Sequence, residues 1–122
     1  MTNFKTLAAM AVATAALLGA AQAQAHAKLV SADPAQDSTV AAPKQLVLTF
    51  SEKLQAKFSG LVLTMPGMND MTVPTKVAVA KDGMTMTATP AKPLPQGAYT
   101  VSWHAVTADT HRVEGKYNFT VR

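Results

Sequence analysis

Apolar and polar side chains alternate along most of the chain after residue 27, and this alternation constrains the fold more than any other feature. It is clearest over residues 98–106, where Tyr99, Val101, Trp103 and Ala105 fall on one face. A period of two residues, interrupted by proline and glycine, is typical of antiparallel strands. We therefore predict short strands and no long helix. The predicted strands span residues 28–31, 45–50, 60–65, 73–79, 84–89, 98–106 and 116–121.

About seven short strands within roughly 100 residues is the pattern of an all-β Greek-key sandwich of the immunoglobulin-like type. The chain has no cysteine, so this sandwich must be stabilised by its apolar core and not by disulfides. The lack of thiolates also excludes a blue-copper site and a cysteine-based zinc site. The predicted core contains Leu46, Leu48, Phe50, Leu61, Leu63, Val101, Trp103, Tyr117 and Phe119.

The first 25 residues have the composition of a secretory signal peptide. Lys5 supplies the positive charge, residues 7–21 are largely apolar, and Ala23-Gln24-Ala25 offers the small side chains that signal peptidase requires. We predict a cleaved leader over residues 1–25 and one exported domain over residues 26–122. A cut after Ala23 is the alternative. A membrane anchor is disfavoured, because the apolar stretch is shorter than the ~20 residues that a spanning helix needs.

The formal net charge of +4 comes from lysines and arginines that are scattered along the chain. They form no basic stripe and are not interleaved with aromatic residues, so nucleic-acid binding has no support. A small positive charge mainly favours solubility. Nothing in the sequence indicates an obligate interface, and we expect a monomer.

Cleavage after Ala25 would make His26 the first residue of the exported protein. Its α-amine and its imidazole Nδ1 could then chelate one metal ion together, which no internal histidine can do. Asp109 and His111 are two residues apart, so in an extended segment their side chains point the same way. Glu52, just after a predicted strand, is a further carboxylate. Amine, imidazole and carboxylate donors suit Cu(II), although Asp109 and His111 could also be ordinary surface residues.

Methionines are concentrated in a second place, around a predicted turn. Met65, Met68 and Met71 lie within seven residues, separated by Pro66-Gly67. Thioether sulfur is a soft ligand that favours Cu(I), and Met86 could extend the group. The alternative is that these side chains fill gaps in the core.

Several motifs together resemble the CopC-type periplasmic copper-binding proteins of bacterial copper resistance. The resemblance runs from the segment that begins at His26, through residues 48–54 and 58–60 and the Met-Pro-Gly-Met turn, to residues 101–111 and 115–121. It implies a cupredoxin-like β-sandwich in the periplasm. It also implies a Cu(II) site at His26, with Asp109 and His111 as later ligands and Glu52 as a nearby carboxylate.

The same resemblance implies a Cu(I) site in the methionine loop of some members, matched here by Met65, Met68, Met71 and Met86. The loop of two-site members also contains a histidine, whereas this chain has Asn69-Asp70. The implied function is to sequester or carry copper and to pass it to an inner-membrane copper importer or another periplasmic copper protein, without catalysis.

Two other functions fit part of the pattern. Copper oxygenases that attack polysaccharides use the same amine and imidazole chelate, but they usually need a broad aromatic binding surface, and this chain has few aromatic residues. A metal-free sandwich module that binds another protein would fit if Gln24 were the first residue and the methionines only packed the core.

Overall fold

The computed structural model of the chain describes residues 27–122. The predicted leader and His26 lie outside this range. Within it no helix has the length and hydropathy needed to cross a bilayer. The strands are β1 (Leu29–Asp33), β2 (Thr39–Val40), β3 (Leu46–Phe50), β4 (Gly60–Met65), β5 (Met71–Val73), β6 (Thr75–Val79), β7 (Thr85–Pro90), β8 (Gly97–Val106) and β9 (Arg112–Val121), with 3-10 turns at Ala56–Phe58 and Pro66–Met68.

The strands form two sheets that enclose one core. The first sheet has four strands in the order β1-β3-β7-β6, and the second has five in the order β2-β9-β8-β4-β5. All neighbours are antiparallel except β2 and β9. The predicted all-β sandwich is therefore confirmed.

Alternating apolar residues of both sheets meet in the core. Tyr99 of β8 stacks on Phe119 of β9 with ring centroids 5.3 Å apart, and Phe50 of β3 meets Trp103 of β8 edge to face at 5.2 Å. Trp103 is only partly buried, and it lines an open cleft together with residues of β1 and β9. Of the predicted core residues, the other eight are buried: Leu46, Leu48, Phe50, Leu61, Leu63, Val101, Tyr117 and Phe119.

The segment predicted as one strand over residues 73–79 is two strands. Strand β5 ends at Val73 in the second sheet, and β6 begins at Thr75 in the first sheet. Pro74 lies between them and has no N–H to continue a ladder. The proline thus marks the point where the chain crosses from one sheet to the other. The alternation of Val73, Val77 and Val79 continues across this point, so the pattern shows no sign of the break.

Two further differences concern strand length. The two-residue β2 was not predicted, since two residues cannot show a period. Strand β9 begins at Arg112 and not at residue 116, and it contains Gly115. A Cβ at Gly115 would lie 2.6 Å from the ring of Trp103. The glycine therefore admits the indole and does not interrupt the strand.

Candidate metal centre

The candidate site is built on the turn that joins β8 to β9. The backbone N–H of Thr107 donates to the carbonyl of His111 at 3.1 Å, and the N–H of Thr110 donates to the carbonyl of Thr107 at 3.0 Å. Thr110 has φ of 69°, a left-handed conformation that is rare for a β-branched residue. The prediction of an extended segment through Asp109 and His111 is thus wrong, because the turn reverses the chain at these residues.

The turn nevertheless brings Asp109 and His111 into contact. His111 Nδ1 lies 2.8 Å from Asp109 Oδ2, and both side chains are about half exposed. The hydroxyl of Thr107 donates to the other oxygen of the carboxylate, Oδ1. Hydrogen bonds from Thr107 and from His111 lower the pKa of Asp109 to about 2. The carboxylate is therefore charged at neutral pH and can attract a cation.

Glu52 and Asp109 both line an open cleft of about 540 Å³. The lining comes from the segment after β3, the residue before β7 and the turn after β8; it consists of Ser51, Glu52, Lys53, Met84, Thr107, Ala108 and Asp109. The structure thus places Glu52 beside the same opening as Asp109. Two carboxylates, Glu52 and Asp109, therefore line the same cleft.

The described part of the chain also begins beside this cleft. The N–H of Lys28 donates to the Ser51 hydroxyl, and the N–H of Ser51 donates to the Lys28 carbonyl, both at 2.9 Å. Ala27 is buried in the core. These contacts fix the start of the domain next to the residue that precedes Glu52.

Residues 27–122 contain no group of three histidine, cysteine or acidic side chains that could hold a metal ion by themselves. Asp109 and His111 supply two adjacent donors, and Glu52 faces the same cleft. His26, the first of the predicted ligands, lies outside the described range.

His104 lies on β8 away from this cleft. It stands opposite Gly60 on β4 and Glu114 on β9, and a Cβ at Gly60 would come within 3.3 Å of its ring. Burial and the nearby charge of Arg112 lower the pKa of His104. Its contacts are those of a neutral ring packed on a sheet face.

The methionine turn, residues 65–71 with Met65, Met68 and Met71, lies at the end of the sandwich away from the Asp109–His111 turn. Met65 and Met71 stand opposite each other on β4 and β5, and both line one cleft with Leu94. Met65 is buried, with its Cε 3.3 Å from the position of a Cβ on Gly97, whereas Met68 and Met71 are exposed. Met86 is fully buried in β7 and does not line this cleft.

Comparison with known proteins shows the family to which this chain belongs. The CopC domain family model matches residues 29–122, which is nearly all of the described chain. The chain belongs to the CopC domain family. The resemblance inferred from the sequence motifs is therefore confirmed.

Individual members of the family resemble the chain over its length. Copper resistance protein C of Pseudomonas syringae pv. tomato is 48% identical over 126 residues, covering 99% of this chain and 96% of that protein. The crystal structure of PcoC, described as a methionine-rich copper resistance protein from Escherichia coli, is 48% identical and superposes with a TM-score of 0.75 over 80% of this chain and 100% of that one.

A more distant relative is much longer. The copper transport protein CutJ of Bacillus subtilis is 31% identical over 99 residues, which are 80% of this chain but only 18% of that protein. A domain of this kind thus occurs as one part of a larger protein.

Sequence reasoning missed two residues that support the candidate site, Thr107 and Gln55. Thr107 is the one buried polar residue among residues 27–122. The side-chain amide of Gln55 donates to the Thr107 carbonyl at 2.7 Å. Neither residue type suggests a metal ligand, and the only signal for Thr107 is its position two residues before Asp109.

Proposed function

We propose that the protein is a periplasmic copper carrier that binds Cu(II) between its N-terminus and the turn after β8. The observation that carries the proposal is the Asp109–His111 pair, held at 2.8 Å beside a cleft that also contains Glu52. Membership of the CopC domain family supports copper as the metal. The mechanism is selective coordination and ligand exchange, without turnover.

His26 completes the proposed site. Residue 26 is joined directly to Ala27, whose Cα is therefore about 3.8 Å from its own. Since Ala27 is buried and Lys28 is hydrogen-bonded to Ser51, a donor at residue 26 starts from a fixed point next to the cleft. The α-amine and imidazole of His26 then join the imidazole of His111 and the carboxylate of Asp109, with Glu52 as the nearby second carboxylate. This proposal requires export and cleavage of residues 1–25.

The hydrogen bond between Asp109 and His111 determines which ring nitrogen binds the metal. With the proton of Nδ1 directed at the carboxylate, the lone pair is on Nε2, which becomes the metal ligand. Asp109 Oδ2 retains a second lone pair, so it can contact the ion while it orients the ring. Planar nitrogen and oxygen donors favour Cu(II) over Cu(I).

Protein exported to the periplasm tests this assignment. We expect mass spectrometry to show His26 as the first residue, and we expect one equivalent of Cu(II) to bind with an EPR spectrum typical of tetragonal nitrogen and oxygen coordination. His26→Ala should weaken binding strongly. Wild-type affinity in that variant would refute the proposed ligand set.

We further propose that the methionine turn holds Cu(I) through Met65, Met68 and Met71. Two of these thioethers stand opposite each other in the β4–β5 hairpin, and two are exposed at its tip. Met86 is left out of the proposed set, because it lies in the core and away from the cleft. Titration with Cu(I) under reducing conditions, compared between the wild type and a Met68→Leu, Met71→Leu double variant, tests this second site.

We propose an inner-membrane copper importer as the recipient of the metal. The support is the matching segment within the longer copper transport protein CutJ. An exposed site at one end of a single domain is suited to direct ligand exchange with such a partner.

A further inference from the structure

Thr107 connects the candidate copper ligands to the body of the sandwich. It is 5% exposed, although it carries a hydroxyl and closes a turn whose other residues are exposed. A buried hydroxyl costs free energy unless it is hydrogen-bonded. Here the hydroxyl proton is directed at Asp109 Oδ1. The buried hydroxyl of Thr107 therefore has the exposed carboxylate of Asp109 as its hydrogen-bond acceptor.

Gln55 holds the other side of Thr107. Its side-chain amide donates to the Thr107 carbonyl at 2.7 Å, and its backbone N–H donates to the Val106 carbonyl at 2.7 Å. Leu54 forms an isolated β-bridge with Thr107. The segment that follows Glu52 is thus joined to the turn that carries Asp109, and both of these segments line the cleft.

The side-chain contacts of Asp109 depend on each other. The Thr107 hydroxyl donates to Oδ1, which also accepts from the backbone N–H of His111 at 3.5 Å, and His111 Nδ1 lies 2.8 Å from Oδ2. Without the hydroxyl, Oδ1 keeps only the long 3.5 Å contact with the backbone N–H of His111, so the carboxylate can rotate about its last torsion and release His111 Nδ1. The ring is then free to change its tautomer, so that Nε2 is no longer fixed as the unprotonated nitrogen.

We propose that Thr107 and Gln55 are positioning residues that fix Asp109 and His111 in the geometry that binds Cu(II). The inference rests on the proposed function, since it concerns the same site. It adds that the affinity depends on two residues that do not touch the metal. Partners of this kind typically change metal affinity by about 10- to 100-fold when they are removed.

The test compares Thr107→Val with Thr107→Ser. Valine keeps the shape and β-branching of threonine but has no hydroxyl, so we expect Cu(II) affinity to fall by roughly 10- to 100-fold. Serine keeps the hydroxyl and should retain most of the affinity. Thr100→Val is the matched control, because Thr100 is also a hydrogen-bonded threonine but lies within β8 and donates to Asn118 at 2.8 Å, far from the turn. It should bind Cu(II) as the wild type does.

A second measurement needs no metal. Nitrogen-15 NMR of the His111 ring under mildly alkaline conditions should show the Nδ1–H tautomer in the wild type and in Thr107→Ser, and a mixture of tautomers in Thr107→Val. Gln55→Leu should change affinity in the same direction as Thr107→Val. This variant keeps the inference testable if Thr107→Val does not fold.

The two proposals can fail separately. If the wild type does not bind Cu(II), or if His26→Ala binds it equally well, the proposed function fails. If the wild type binds and Thr107→Val and Gln55→Leu bind equally well, with the tautomer unchanged, the positioning role is refuted. Loss of affinity in Thr107→Ser equal to that in Thr107→Val would also refute it, because the methyl group and not the hydroxyl would then matter.

Discussion

At the scale of single residues, the hydrogen bonds of Asp109 determine the pKa of its carboxyl group. Its ordinary pKa of 3.8 is lowered to about 2, first by the Thr107 hydrogen bond and then by the His111 hydrogen bond. Both bonds favour the charged form. A carboxyl group whose pKa is lower in the folded state stabilises the fold at pH values above its unfolded pKa, and this contribution is lost as the pH falls through the folded value.

We therefore predict that Asp109 loses its stabilising contribution between about pH 4 and pH 2. Carbon-13 NMR of the side-chain carboxyl in metal-free protein should give a midpoint near 2 for Asp109. In Thr107→Val the midpoint should move up towards the ordinary value. An Asp109 midpoint near 3.8 in the wild type would show that the hydrogen bonds are not formed in solution.

The methionines separate into core and surface residues, and single substitutions can distinguish them. Met86 is completely buried, so Met86→Ala should cost about 2–5 kcal/mol of unfolding free energy. Met68 is 58% exposed, so Met68→Ala should change stability by no more than about 0.5 kcal/mol. Urea unfolding measures both values. Equal costs for the two variants would contradict the described packing.

At the scale of elements, a long alternation of apolar and polar residues predicts a strand correctly. A strand with only a short alternation is missed or merged with its neighbour. The alternation over β3, β4 and β8 predicts these strands within one residue of their observed ends. Strand β2 has two residues, too few for a pattern, and β5 has three residues that follow the turn after β4. Their pairing depends on neighbouring strands that the local sequence does not specify.

The glycine of β9 gives a prediction at this scale. A Cβ at Gly115 would lie 2.6 Å from the Trp103 ring, and that ring is held against Phe50. Gly115→Ala should therefore destabilise the fold by about 1–3 kcal/mol and shift tryptophan fluorescence. Gly67→Ala is the control, because nothing lies within 4 Å of its added Cβ. An unchanged stability in Gly115→Ala would mean that the indole is not packed as described.

The contact between Asp109 and His111 was predictable from the sequence, but the geometry that produces it was not. Their i, i+2 spacing indicated that the two side chains lie close together, and the structure places them 2.8 Å apart. It did not indicate the turn, because a left-handed Thr110 is not a sequence signal. Nor could it indicate the junction between Gln55 and Thr107, which lie 52 positions apart in the chain.

At the scale of the whole molecule, the two candidate copper sites lie at opposite ends of the sandwich. Strand β8 connects them, since Gly97 packs against Met65 and Val106 precedes the Thr107 turn. Ten residues of strand span about 30 Å. At this separation, and without shared ligands, the sites should act independently.

This separation predicts that methionine substitutions leave Cu(II) binding unchanged. The Met68→Leu, Met71→Leu double variant should lose affinity for Cu(I) and keep the wild-type affinity for Cu(II). Competition titrations with chelators of each oxidation state measure both. A parallel loss of Cu(II) affinity would show that the ends of the sandwich are coupled.

The central claim is that the exported protein begins at His26 and that the α-amine of His26 binds Cu(II). The most direct test is the Cu(II) affinity of protein that begins at His26, compared with the same protein carrying one additional N-terminal alanine. The extension keeps the imidazole but converts the amine of His26 into an amide, and we predict that it lowers the affinity by orders of magnitude. Equal affinity of the two proteins would contradict the account.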